Sequence, residues 1–148
     1  FDFWKNAKGG TMLKTGCIHP PLLSALSYCG HGDKILIGSA NYPLQSRSGE
    51  AERIYLGLSR GLPTSTDILK SLLSVIQVER VQVMAPEGPE PEVFREYREI
   101  LEDLPLEPCG RFPFYETCEG KDVRLAIMSG DLRPYSNLLL TVTVVREG

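Results

Sequence analysis

The chain has 148 residues, of which 42% are hydrophobic and 24% charged, and its formal net charge at pH 7 is −3. This size and composition are typical of one soluble globular domain, in which about 70% of the unfolded surface can be buried. The acidic balance argues against nucleic acid and membrane partners, which need a basic surface, and favours a small neutral ligand.

The first eleven residues differ in character from the rest of the chain. They contain a Lys-Gly-Gly run and directly precede Met12, which has the look of a natural start. We expect residues 1–11 to be an extension remnant and residues 12–148 to form the domain.

Hydrophobic periodicity predicts helices and strands in alternation along the domain. Apolar side chains at three- and four-residue spacing indicate helices at residues 20–28, 68–76 and 93–104. Short apolar or β-branched runs indicate strands at residues 35–40, 54–58, 81–84, 111–116, 123–128 and 138–145. Ser65 or Thr66 is expected to cap the second helix. This alternation predicts a single-domain, layered α/β fold.

Several classes of protein lack support in the sequence. No apolar run approaches the roughly 20 residues that cross a bilayer, and no signal-type segment is evident, so we expect a cytoplasmic chain. The four cysteines include no Cys-x-x-Cys pair and have only two histidines as partners, which argues against a metal site. Glycine-rich phosphate loops are also absent.

His31 is the first candidate for chemistry. It stands between Gly30 and Gly32, immediately before the first predicted strand, where a ligand can approach the backbone closely. An imidazole can donate or accept a proton near neutral pH, although a capping or surface role is the open alternative. Asp33 could orient this imidazole or cap the turn.

Two later segments carry further candidates. If the Arg-Phe-Pro-Phe-Tyr-Glu run is a strand, alternation places Arg111 and Tyr115 on one face; the alternative is core aromatics with a surface arginine. Tyr135 and Asn137 share a side and offer donors and acceptors to a hydroxyl-rich ligand, unless they merely form a turn. Asp131 could be a ligand carboxylate or a turn former.

The order of these motifs resembles the D-ribose pyranase / L-fucose mutarotase family over residues 12 to about 145. The acidic helix and the Arg-Phe-x-Phe-Tyr-Glu run resemble the fucose branch more than the ribose branch. The motifs that carry the resemblance are Met12-Leu13-Lys14, Gly30-His31-Gly32-Asp33, Pro91-Glu92-Val93 with Tyr97-Arg98, the run from Arg111 to Glu116, Ser129-Gly130-Asp131 and Tyr135-Ser136-Asn137.

The resemblance implies an α/β enzyme that assembles into rings, often decamers, with monosaccharide sites at subunit boundaries. The implied activity is that of a sugar mutarotase, which interconverts the anomers or ring forms of a free sugar such as L-fucose without a metal or organic cofactor. Catalysis would fall to His31 as proton donor, with Tyr115 and Tyr135. The implied substrate-binding residues are Asp33, Ser39, Arg111, Tyr135 and Asn137.

Two positions depart from the family pattern. Eight residues after the histidine the family usually has aspartate followed by alanine, whereas this chain has Ser39 and Ala40. A second aspartate is commonly found where this chain has Tyr55. A serine cannot accept two sugar hydroxyls as a carboxylate does, which suggests a different aldose or a sugar phosphate. The alternative is a non-catalytic monosaccharide-binding or assembly protein of the same fold.

Overall fold

The computed structural model describes residues 13–146, so the extension predicted for residues 1–11 lies outside the described residues. Four helices and six strands occur in this part of the chain. In chain order they are α1 (Pro20–Ser27), β1 (Lys34–Gly38), β2 (Glu52–Tyr55), α2 (Ser65–Leu73), β3 (Val78–Met84), α3 (Val93–Leu101), β4 (Leu106–Cys109), α4 (Arg111–Cys118), β5 (Val123–Met128) and β6 (Leu138–Val142).

The six strands form one mixed sheet in the order β2-β5-β1-β6-β3-β4. Five of them are mutually parallel, and β6 runs antiparallel between β1 and β3. The five parallel strands therefore end at one side of the sheet, the carboxyl edge, where β6 begins. They start at the opposite side, the amino edge, where β6 ends.

Helices and loop segments cover both faces of the sheet. Ile35 and Ile37 of β1 point to one face, together with the apolar residues of α1, α2 and α3. Leu36 points to the other face, where α4 and the segment after β1 pack. Because β1 and β6 are buried on both faces, their sequences read as continuous apolar runs. The predicted layered α/β fold is confirmed.

The prediction of a strand at residues 111–116 is wrong, because this segment begins helix α4. Its buried side chains are Phe114 and Cys118, whose four-residue spacing places them on one side of a helix. Gly110 is the N-cap, and the Phe114 N–H donates to its carbonyl oxygen at 2.9 Å. Aromatic residues favour strands by propensity, but this apolar stripe packs against the sheet only in a helix.

Two other elements differ from the prediction. Strand β4 was not predicted; it contains Pro108 and lies at the edge of the sheet, where a proline is tolerated because one side needs no N–H donor. Helix α2 is capped by Thr64, which forms a capping box with Asp67, so the expected cap at Ser65 or Thr66 is wrong. The remaining elements start or end within a few residues of their predicted bounds.

Candidate functional site

A hollow of about 250 Å³ opens at the carboxyl edge of the sheet, where β1 and β3 end and β6 begins. In open α/β sheets ligands bind at this edge, because the connections leaving neighbouring strands diverge there. The hollow is lined by Ser39, Asn41, Tyr42, Pro43, Met84, Arg111, Tyr115, Pro134, Tyr135 and Asn137. Five of these were predicted site residues: Ser39, Arg111, Tyr115, Tyr135 and Asn137.

Asn137 is fixed at the entrance of β6 by a bond to the end of β1. The buried side-chain oxygen Oδ1 of Asn137 accepts from the Ser39 N–H at 2.8 Å. This bond assigns the orientation of the amide, since only the oxygen can accept a hydrogen bond. The two N–H groups of the same amide have no partner in the described part of the chain and are available to a ligand.

Helix α4 supplies Arg111 and Tyr115. The two residues share a side of the helix because they are four positions apart, not through the strand alternation that was predicted. The Tyr115 ring packs edge-on against Tyr42 and Phe112, with ring centroids 5.7 and 6.0 Å apart, and the Arg47 guanidinium lies 5.0 Å from its centroid. These contacts hold the Tyr115 ring in place, whereas the Arg111 side chain is exposed.

Tyr135 adopts a left-handed backbone conformation with φ of 61°. This conformation is uncommon for a bulky residue and persists only where the surrounding structure enforces it. The turn is held by the Ser136 hydroxyl, which donates to the Arg133 carbonyl oxygen at 2.7 Å. The ring of Tyr135 is partly buried against both apolar cores, which sets its position in the wall of the hollow.

Asp131 stabilises the connection between β5 and β6 and does not line the hollow. Its carboxylate accepts from the Ser65 N–H and hydroxyl, each at 2.9 Å, and from three N–H groups of Arg133 at 2.8–3.0 Å. Arg133 also pairs with Glu96. Burial favours the neutral acid, but the hydrogen bonds from Arg133 and Ser65 outweigh it and lower the pKa of Asp131 to about 2. Of its two open roles, the structure therefore supports the structural one.

His31 and Asp33 lie at the amino edge, away from the hollow. The neighbouring Gly32 N–H donates to the carbonyl of Val142, the last residue of β6, at 2.8 Å. The Asp33 carboxylate accepts from the Gly30 N–H at 2.8 Å and so caps the turn. The five-residue strand β1 separates the two edges by roughly 15 Å. A single chain thus does not bring His31 or Asp33 to the residues of the hollow.

The imidazole of His31 has an acidic neighbour at the amino edge. Its Nε2 lies 3.4 Å from Oε1 of Glu79 in β3, and both side chains are largely exposed. An exposed pair of this kind adds little to folding stability, but it leaves the imidazole accessible from solvent. Tyr55, the other departure from the family pattern, is half-exposed at the end of β2 and does not line the hollow.

Tyr42 is a residue of the hollow that the sequence analysis missed. Its hydroxyl donates to the Arg47 carbonyl oxygen at 2.8 Å, and its ring packs edge-on against Phe114 at 6.3 Å. Burial, followed by the nearby Cys118 thiol, raises the pKa of this phenol far above its usual range, so it stays protonated. Tyr42 could have been predicted because it follows a buried strand, and residues at such positions lie at the carboxyl edge.

No helix among residues 13–146 is long and apolar enough to span a membrane. Within the same residues, no three side chains of histidine, cysteine, aspartate or glutamate cluster closely enough to hold a metal ion. The four cysteines are free thiols.

The chain is thus a small α/β protein with a mixed sheet and a polar hollow at the carboxyl edge of that sheet. The sequence matches the RbsD / FucU transport protein family over residues 12–145. The chain belongs to this family, as the sequence motifs predicted.

Named relatives and solved structures are similar along nearly the whole chain. A D-ribose pyranase of Clostridium perfringens is 34% identical over 137 residues, which cover 90% of this chain and 99% of that protein. The structure of Bacillus subtilis RbsD complexed with D-ribose has a TM-score of 0.76 at 26% identity, covering 91% of this chain and 100% of the other. A fucose mutarotase from Streptococcus pneumoniae in complex with L-fucose has a TM-score of 0.74 at 26% identity, with coverages of 87% and 95%. The predicted closer likeness to the fucose branch stays a prediction.

Proposed function

We propose that this protein is a sugar mutarotase, which interconverts the anomers or ring forms of a free monosaccharide. The observation that carries the proposal is the grouping of Arg111, Tyr115, Tyr135 and Asn137 around one hollow of monosaccharide size. Phenols, amides and guanidinium groups are suited to sugar hydroxyls because together they donate and accept hydrogen bonds. The similar proteins named as D-ribose pyranase and fucose mutarotase support the same class of reaction.

The reaction requires two proton transfers. An acid protonates the ring oxygen while a base removes the proton of the anomeric hydroxyl, and the C1–O bond opens to give the aldehyde. Rotation about the C1–C2 bond and closure by the reverse transfers give the other anomer. A positioned acid or base contributes about 10²- to 10⁴-fold, so no metal is required by this scheme. His31 is the proposed acid, and Tyr115 or Tyr135 the second group.

We propose that His31 reaches the hollow from a neighbouring copy of the chain. Within one chain it lies at the opposite edge of the sheet, whereas in a head-to-tail ring the amino edge of one copy would meet the carboxyl edge of the next. Such a ring, of up to ten copies, would place each site at a subunit boundary. The cytoplasmic location expected from the sequence is part of the same proposal.

Saturation-transfer NMR tests this function directly. We expect the pure folded protein to increase the rate of exchange between the anomers or ring forms of at least one sugar among L-fucose, D-ribose and D-galactose. His31→Asn should lower the rate about 10²-fold or more. His19→Asn is the matched control, because His19 only caps α1 and asparagine is a good N-cap. If no sugar, neutral or acidic, exchanges faster than without protein, the mutarotase proposal is wrong.

A non-catalytic monosaccharide-binding protein is the second candidate. It is favoured by one observation, which is that no carboxylate lines the hollow among the described residues, with Ser39 at the position after β1. Calorimetric binding of a sugar without any increase in exchange rate would support this candidate.

A further inference from the structure

The walls of the hollow offer hydrogen-bond donors and neutral acceptors but, in the described part of the chain, no carboxylate. The oxygen of the Asn137 amide is occupied by the Ser39 N–H at 2.8 Å, which leaves two N–H donors. The Ser39 hydroxyl oxygen accepts from the Asn41 N–H at 3.3 Å. Among residues 13–146 no aspartate or glutamate lines the hollow. The phenol oxygens of Tyr115 and Tyr135 can accept from sugar hydroxyls, but no group of fixed negative charge among these residues would repel an acidic ligand.

Arg111 adds a positive charge that the chain does not neutralise. In the described part of the chain no carboxylate lies within ion-pair distance of its guanidinium, although it lines the hollow. Four other arginines pair with acidic side chains: Arg47, Arg80, Arg98 and Arg133. Arg111 is also the first residue of α4, where Gly110 provides no side-chain cap for the N–H groups of the first turn.

Asn137 independently indicates a ligand with acceptor atoms. Only 5% of this residue is exposed, yet its amide nitrogen has no partner within residues 13–146. Asn137 lines the hollow, so its two N–H groups can donate to an oxygen of a ligand bound there. Ser39, next to this amide, carries no charge that would repel an anion.

We infer that the hollow selects an anionic monosaccharide, one that carries a carboxylate or a phosphate, over the neutral sugar. The acidic group would lie on Arg111 and the sugar hydroxyls beside Asn137. This inference rests on the proposed function, because it names the substrate class of the same site. Guanidinium groups bind carboxylate and phosphate through paired N–H donors, and such charge-assisted bonds are roughly twice as strong as neutral ones.

The amino edge of a neighbouring copy would bring its own charged groups near the site. His31 would arrive together with Glu79, whose Oε1 lies 3.4 Å from its Nε2. The Asp33 carboxylate accepts from the Gly30 N–H of its own loop at 2.8 Å. Arg111 lines the hollow itself and is the group there that can bind an acidic ligand.

The test compares matched sugars that differ in charge. Saturation-transfer NMR measures anomer exchange for D-galactose against D-galacturonate and for D-glucose against D-glucose 6-phosphate, with each uncatalysed rate subtracted. We expect kcat/KM for at least one acidic sugar to exceed that of its neutral partner about ten- to hundredfold. Preference for galacturonate alone would identify a carboxylate, and preference for the 6-phosphate alone a phosphate.

Three variants tie the preference to the residues. Arg111→Gln should bring the acidic-to-neutral ratio towards one, and Ser39→Asp should lower the rate for the acidic sugar about tenfold or more. Arg95→Gln is the matched control, since Arg95 is an exposed arginine of α3 outside the hollow and should leave the ratio unchanged.

The outcomes separate this inference from the proposed function. Ratios of one or less in both pairs, with exchange still accelerated, would overturn the inference and leave the mutarotase proposal intact. If no sugar exchanges faster, the mutarotase proposal fails, and calorimetry with the same four sugars tests the inference alone. Tighter binding of an acidic sugar that Arg111→Gln abolishes would support it, whereas equal binding or no binding of all four would overturn it.

Discussion

The buried carboxylate of Asp131 stabilises the connection between β5 and β6, which contains Tyr135. Replacing Asp131 by asparagine removes the charge that Arg133 and Ser65 bind, and leaves the Arg133 guanidinium with only Glu96 as an acidic partner. We expect Asp131→Asn to lower the free energy of unfolding by about 2–3 kcal/mol, because breaking a buried ion pair leaves its partner unsatisfied. Urea denaturation at fixed protein concentration measures the change. Asp103→Asn, at an exposed position, is the control and should have little effect.

The same carboxylate predicts an acid-sensitive contribution to stability. Its pKa falls from 3.8 to about 2 on folding, so the unfolded chain binds the proton more tightly and the contribution is complete above about pH 4. It should disappear as the pH falls towards 2, a loss of about 2 kcal/mol. The difference in unfolding free energy between wild type and Asp131→Asn should therefore shrink over this range. A difference that stays constant from pH 5 to about pH 2 would contradict the assignment.

Gly130 is required by close backbone packing beside Asp131. A Cβ at this position would lie 2.2 Å from the Leu62 carbonyl oxygen and 2.6 Å from that of Ser59. We expect Gly130→Ala to destabilise the protein by about 1–3 kcal/mol, since backbone must move to make room. Gly30→Ala is the matched control, because its Cβ would have no neighbour closer than 4.0 Å. Comparable urea midpoints for the two variants would contradict the packing argument.

Half of the residues that line the hollow were predicted, and on different grounds. Asn137 precedes a predicted strand, which places it near an edge of the sheet. Ser39 lies inside the strand predicted at residues 35–40, and only the family resemblance identified it as a site residue. The role of Asp131 could not be predicted, since its partner Ser65 is 66 positions away in the chain. Side-chain pairs of this kind depend on how the elements pack, which local spacing does not specify.

At the scale of single elements, the start of α2 has the clearest local cause. The Thr64 hydroxyl oxygen accepts from the Asp67 N–H at 3.1 Å, and the Asp67 carboxylate accepts from the Thr64 N–H at the same distance. We expect Thr64→Ala to cost about 1 kcal/mol of unfolding free energy, as other N-cap replacements do. Thr117→Ala, which removes only an exposed bond within α4, should change little and serves as control. Equal effects of the two variants would exclude a capping role.

Helix α4 shows why local patterns failed for one element. Its sequence is rich in aromatic residues and reads as a strand, and only two of its eight residues, Phe114 and Cys118, are buried. With only two buried apolar residues, the sequence does not show whether the spacing is that of a helix or that of a strand. The segment forms a helix because both side chains then pack on the apolar face of the sheet. Strand β4 was missed for a related reason. A proline is tolerated in an edge strand, and the sequence alone does not show which strand lies at the edge.

At the scale of the whole molecule, the direction of β6 determines which candidate residues can meet. The segments of His31 and Asn137 both precede strands, and the sequence alone does not say whether those strands are parallel. Because β6 is antiparallel to β1, the two strand entrances lie at opposite edges of the sheet. The sequence thus predicted five of the ten residues that line the hollow, but not their separation from the imidazole.

A mixing experiment tests whether each site combines two copies. His31→Asn and the double variant Tyr115→Phe/Tyr135→Phe should each be inactive alone. Co-refolded in equal amounts, they should regain about a quarter of the wild-type exchange rate, because a quarter of random interfaces combine an intact hollow with an intact imidazole. A mixture of His31→Asn and His31→Gln is the control and should stay inactive. Mixed oligomers that remain inactive would contradict the shared site.

The central position of β6 also constrains how the protein is made. This strand is the last of the six in the chain, yet it fills the space between β1 and β3. While a ribosome is still translating the earlier segments, the nascent chain can form only two partial sheets, each with an open apolar border. Stable folding should therefore wait until residues 138–142 have left the exit tunnel, and stalled chains that end before them should bind chaperones and be cleaved rapidly by proteases.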